Sequence, residues 1–142
     1  MGETQRVVAR DELVRYCDDY LDAAAVEDFS PNGLQVEGAA TVGTLVSGVT
    51  ACQALLDAAV AEGADMVLVH HGYFWKGEEA RVVGMKRRRL ETLLSTGTSL
   101  LAYHLPLDRH PEVGNNAELA RLLEVGERQP FGHLKGVAIG VG

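Results

Sequence analysis

Basic charge is scarce in this chain: Lys and Arg number 13 against 20 Asp and Glu, a formal net charge of -7. General affinity for nucleic-acid backbones rests on basic faces, so nucleic acid is not an expected partner. Long hydrophobic runs are missing too. A membrane-spanning helix needs ~20 apolar residues, and stretches such as Met66 to Val69 are only a handful long. No membrane segment is expected. The first twelve residues, MGETQRVVARDE, lack the apolar core of a signal peptide. Cysteines are few, Cys17 and Cys52, with no C-x-x-C pair. Both fall in apolar helical patterns and read as reduced, buried residues of a cytoplasmic protein. There is no P-loop, no dinucleotide fingerprint, no internal repeat and no low-complexity segment.

What remains is ordinary globular material, 142 residues with 46% hydrophobic and 23% charged side chains. Residues 11–25 carry Leu13, Tyr16, Cys17, Tyr20 and Leu21 at helical spacing. Residues 28–33 are dense in turn formers, and 34–38 alternate as a short strand. Val42 to Val49 reads as a strand, 51–62 as a helix stopped by Gly63, and 65–69 as a strand buried on both faces. Strand, helix, strand over ~30 residues is a βαβ unit. A second helix over 86–96, a strand over 98–103 and a helix over 115–123, capped by Asn115 or Asn116, follow. The alternation predicts an α/β fold with a layered mixed or parallel sheet built from βαβ units. Lys86-Arg87-Arg88-Arg89 reads as a solvated helix face.

In such sheets, chemistry collects beyond the carboxyl ends of the strands. His70 and His71 follow the strand 65–69 directly. His104 follows 98–103, and Asp108 comes four residues later. Neighbouring strands would bring three imidazoles and a carboxylate to one rim. Adjacent strand residues point to opposite faces. One ion could take both His70 and His71 only if the backbone turned at Gly72; otherwise each serves one ion of a pair ~3.5–4 Å apart, with Asp108 as bridge. Leu105 and Pro106 predict a loop from His104 to Asp108. Tyr73, Phe74 and Trp75 read as either a packed lid or a stacking wall for a planar ligand. Glu78 and Glu79 read as a solvated loop, His110 as an exposed loop residue, and His133 as part of the C-terminal segment.

Three motifs carry a resemblance: Ser30 to Gly38 (SPNGLQVEG), Val69 to Gly77 (VHHGYFWKG), and Tyr103 to Asp108 (YHLPLD) with Pro111 to Asn116 (PEVGNN). Over about residues 10–125 the chain resembles the GTP cyclohydrolase I type 2 homologue family, the Nif-three-like dinuclear-metal-centre proteins. That resemblance implies an α/β monomer of two related domains, assembled as a toroidal homo-hexamer with two divalent metal ions facing its interior. It places metal ligands on His70, His71 and Asp108. His104 stands beside the centre as a general acid/base or as support for a ligand. Imidazole with carboxylate suits Zn, Fe, Mn, Co or Ni.

The family completes its site with a later His-x-x-x-Glu motif. Here His133 is followed four residues on by Val137, and the apolar run 136–142 ends the chain in a strand-like pattern. Residues 1–125 are therefore expected to form the first domain, and 126–142 the start of a truncated second one. The function implied is a metal-dependent hydrolase acting on a nucleotide or related phosphorylated small molecule. The alternatives are a non-catalytic metal-binding or scaffold protein, and an inactive fragment with weak metal affinity.

Overall fold

The computed structural model describes residues 6–141; the polar stretch 1–5 lies outside them. A short strand β1 (Val8–Ala9) leads into α1 (Arg10–Tyr20) and a 3-10 turn at Ala23–Ala25. Then come β2 (Gly33–Val36), β3 (Thr41–Val42), β4 (Leu45–Thr50), α2 (Gln53–Ala61), β5 (Met66–His71), α3 (Gly84–Thr96) and β6 (Ser99–Ala102). The chain continues through α4 (Leu105–Arg109), α5 (Asn115–Leu122) and a hairpin of β7 (Pro130–Leu134) with β8 (Val137–Val141).

The central sheet has the order β2-β6-β5-β4. Strands β4, β5 and β6 run parallel, with Val67 opposite Val46 on one side and Leu100 on the other. Strand β2 closes the edge antiparallel to β6. This is the mixed α/β sheet with two crossover units that the hydrophobic pattern predicts. Strand β5 shows why its apolar run is continuous. Val67 and Val69 pack into a core with Leu56, Ala59, Leu93 and Leu100. Met66 packs on the opposite side with Leu21, Leu101 and Tyr103. A central parallel strand buries both faces, so it has no polar alternation. Met66, Val67, Leu100 and Leu101 are completely inaccessible.

Several expectations are corrected. The segment after His104 is a helix, not a loop. Pro106 sits in the first turn of α4, where its missing N–H has no helical partner to lose. The helix predicted over 11–25 ends at Tyr20 and resumes only as the turn 23–25. The strand predicted over 42–49 is interrupted at Gly43 and Thr44, whose N–H groups donate to Asp65 Oδ2 at 2.8 and 2.9 Å. Gly114, not Asn115 or Asn116, occupies the cap position of α5. The two asparagine side chains are used elsewhere. Cys17 and Cys52 are free but only half-buried.

No helix among the described residues is long and apolar enough to cross a membrane.

Candidate metal centre

The parallel register places the carboxyl ends of β4, β5 and β6 side by side, and the histidines lie there. Val69 pairs with Ala102. His70 and His71 thus extend past the last paired residue of β6, while Tyr103 N–H still donates to Val69 O at 3.0 Å. Beyond this rim each ring is tied to a different neighbour. His70 Nδ1 is 3.0 Å from the carbonyl oxygen of Tyr103, and His71 Nδ1 is 3.2 Å from Thr50 Oγ1 on β4.

The backbone does not turn away between the two residues; both belong to β5. The rings nevertheless meet, with centroids 4.4 Å apart. His104 completes the group, 5.1 Å from His70 and 5.7 Å from His71 by ring centroid. One ring nitrogen from each of the three lies within 4.8 Å of the others. The two rings thus meet although both residues belong to one strand, and His71 is still paired with Thr50 of β4. Gly72 contributes by close approach rather than by a special dihedral. A Cβ there would collide with the Gln35 side chain and stand 2.7 Å from Ala102 Cβ.

The protonation pattern follows from the partners. A carbonyl oxygen only accepts, so His70 Nδ1 carries a hydrogen and donates it to Tyr103 O, which leaves Nε2 as the lone-pair nitrogen of the neutral ring. His104 Nδ1 lies 2.8 Å from the carboxylate Oδ1 of Asp28 and donates to it in the same way. Burial lowers the His71 pKa, and the neighbouring His70 and His104 push it further in the same direction against Asp108. Neutral imidazoles with oriented lone pairs are what a divalent metal requires, so the donor set fits such an ion.

Asp108 stands at the edge of the group, its Oδ1 3.5 Å from His70 Nε2. Asn115 Nδ2 donates to the same oxygen at 2.9 Å and is 3.5 Å from His70 Nε2. Asn116 Nδ2 donates to Asp108 O at 2.9 Å and to Ile139 O at 2.8 Å, joining the C-terminal hairpin to α4.

The aromatic trio divides. Tyr73 is buried and donates its hydroxyl to Ala51 O at 2.7 Å. Phe74 is exposed under Lys86. Trp75 alone borders the histidines, its ring edge-on to His104 at 5.0 Å and 6.1 Å from His71. Its indole N–H donates to Gly72 O at 3.1 Å.

Glu78 and Glu79 stay away from the rim. Glu78 accepts from Trp75 N at 3.1 Å, and Glu79 pairs with Arg81. Within the basic run, Arg89 lies 6.0 Å from the Tyr73 ring, so that face is partly packed. His110 is half-buried and accepts from the backbone N–H groups of Glu112 and Val113, and His133 is exposed on β7.

Residue-level reasoning missed Asp28, Asn32 and Gln35. The only signal was a carboxylate inside a segment dense in turn formers, and spacing alone does not connect that turn to His104. Gln35 Oε1 accepts from Tyr73 N at 2.7 Å and its Nε2 donates to Tyr73 O at 3.1 Å, pinning the loop after the histidine pair to β2.

A model of the family described as Duf34/NIF3 (NGG1p interacting factor 3) matches residues 8–141. The chain belongs to the Duf34/NIF3 family. A Pseudomonas aeruginosa relative named GTP cyclohydrolase 1 type 2 homolog is 68% identical over 116 residues, covering 82% of this chain and 46% of its own. The Escherichia coli K12 protein of the same name is 58% identical over 123 residues, covering 84% and 50%. The chain thus spans about half the length of the curated relatives it matches. Among solved structures, protein ybgI, of unknown function, is 59% identical with a TM-score of 0.81 over 82% of this chain and 47% of that one. A Thermus thermophilus protein is 49% identical with a TM-score of 0.82, covering 87% and 51%. Reduced HcgD from Methanocaldococcus jannaschii, 20% identical with a TM-score of 0.79, shares the Duf34/NIF3 fold.

Proposed function

We propose that this chain is the metal-binding part of a metal-dependent hydrolase, with His70, His71 and His104 holding a divalent ion and Asp108 beside it. The observation that carries the reading is the meeting of three imidazoles, from two strand ends 33 residues apart at Val69 and Ala102, within ligand distance of one another. Three neutral nitrogen ligands with an open position is the donor pattern of a catalytic rather than a closed structural site. When bound, a divalent ion there supplies Lewis acidity and makes water a better nucleophile at neutral pH.

The chain's own residues divide the remaining work. The Tyr103 carbonyl keeps the His70 proton on Nδ1. Trp75 shields one side of the rings. The Asp108 carboxylate, held by Asn115, is free on its second oxygen to join a second ion or to orient water. In this reading His104 is a ligand rather than the acid/base, because its Nδ1 proton is committed to Asp28. A dinuclear centre needs donors beyond these four.

The relatives' name, GTP cyclohydrolase 1 type 2 homolog, motivates a nucleotide or related phosphorylated small molecule as substrate. Metal-loaded protein incubated with nucleotides and phosphoesters, with products separated by chromatography, tests this. Product formed by wild type and not by His71→Ala supports the hydrolase. No turnover by wild type or by a metal-loaded full-length relative overturns it.

A second reading, a non-catalytic metal-binding scaffold assembled as a cytoplasmic homo-hexamer, is favoured by the family's description as an interacting factor. It is also favoured by the exposed apolar residues Leu119, Leu122, Leu123 and Phe131. Sedimentation of the protein separates an assembly from a monomer.

A further inference from the structure

The carboxylate of Asp28 is almost completely buried, with 2% of its side chain exposed, yet it lies on a turn remote in sequence from every histidine. Its two oxygens receive four donors. Oδ1 accepts from Phe29 N at 2.6 Å and from His104 Nδ1 at 2.8 Å. Oδ2 accepts from Asn32 Nδ2 at 3.0 Å and from Leu105 N at 2.8 Å. A carboxylate offers about four lone-pair directions, so Asp28 is saturated and has none left for a metal. Asn32 closes the clamp from the other side, its Oδ1 accepting from His104 N at 2.8 Å.

We propose that Asp28 is a positioning residue that locks His104 as the Nδ1–H tautomer and aims its bare Nε2 at the metal centre. The inference rests on the metal-binding reading above and extends it to a residue outside the ligand set. Of the four donors, two are backbone N–H groups, and the third is the Asn32 NH2, which cannot flip without losing the bond from His104 N to Asn32 Oδ1. Only the imidazole can exchange donor for acceptor, by moving its proton to Nε2. The carboxylate therefore selects the tautomer, and an amide in its place selects the other one. With Asn at position 28, the NH2 group opposes two fixed donors at the Oδ2 site but only one, Phe29 N–H, at the Oδ1 site, where it can also donate to a His104 ring that has switched. That switch puts a hydrogen on the nitrogen that should ligate.

The test uses metal-free protein with 15N-labelled histidine, whose tautomers are read from long-range proton–nitrogen correlations, together with Co2+ titration followed by absorbance. Wild type should show His104 as Nδ1–H. Asp28→Asn should show Nε2–H and bind Co2+ ~10–100-fold more weakly, the usual cost of losing a ligand's outer partner. Asn32→Ala weakens the same turn but leaves the Asp28–His104 bond, so it should keep the wild-type tautomer and lose less affinity. An unchanged tautomer in Asp28→Asn, or equal losses in both variants without a tautomer change, would overturn the proposal. If Asp28→Asn does not fold, the wild-type spectrum decides, since an Nε2–H His104 contradicts the lock. Absence of Co2+ binding by wild type defeats the metal reading, while the tautomer comparison still decides the role of Asp28.

Discussion

His70 and Tyr103 meet across the ends of two parallel strands, with His70 Nδ1 3.0 Å from the Tyr103 carbonyl oxygen. The contact is made by backbone on one side, so no substitution at position 103 removes it. It turns strand register into ligand orientation. The same two strands that bury Val67 and Leu100 deliver an imidazole with its lone pair outward.

From this follows the first prediction. His70→Ala and His71→Ala should each weaken Co2+ or Zn2+ binding by at least about 100-fold, since a three-imidazole site reduced to two loses a full ligand. His133→Ala should leave affinity unchanged, because that ring is exposed on the hairpin. Calorimetric titration of the three variants checks both statements.

Gly72 supports a second prediction. Ala at this position meets the Gln35 side chain and Ala102, so Gly72→Ala should cost ~1–3 kcal/mol of stability by overpacking. It should also loosen the Gln35–Tyr73 bonds. Urea unfolding gives the stability change, and amide exchange at Tyr73 gives the local effect.

The third prediction concerns alkaline pH. Burial raises the Tyr73 phenol from 10.0 to about 12, only partly opposed by Arg89. Its folded pKa exceeds the unfolded one, so the neutral hydroxyl's contribution is complete below pH 10. That contribution is lost as pH rises towards 12, a change of up to roughly 3 kcal/mol for two units. Tyr73→Phe should lower stability at neutral pH, through the lost bond to Ala51 O, and flatten the fall between pH 10 and 12. Chemical denaturation at stepped pH measures it. A variant that falls as steeply as wild type would contradict it.

Core packing supports the fourth. Leu56 and Leu93 are each only 1% exposed between the sheet and its two crossover helices. Leu56→Ala should cost ~2–5 kcal/mol, whereas Leu122→Ala, at an exposed position, should change monomer stability little. Thermal unfolding of the two separates them.

The layered sheet was legible in the sequence because period and apolarity coincide. The unbroken run 66–69 marked a strand covered on both faces, and Gly63 marked the end of α2. His70, His71, His104 and Asp108 were legible as a rim group because each follows a strand end. Two things were not. The convergence of adjacent histidines depends on where β6 stops relative to β5, which no local spacing encodes. The buried support from Asp28 crosses 76 residues of sequence, and its signal was a turn-rich segment like many others. Pro106 misled for a local reason, since the same residue that breaks a helix interior is tolerated in a first turn.

Whether the three histidines hold an ion is decided by equilibrium dialysis of metal-free protein against Zn2+, with metal content per chain measured for wild type and for a folded variant carrying Ala at positions 70, 71 and 104. The account predicts one tightly held ion per wild-type chain and none in the triple variant. Wild-type chains that retain no zinc, or a triple variant that retains as much as wild type, would contradict it.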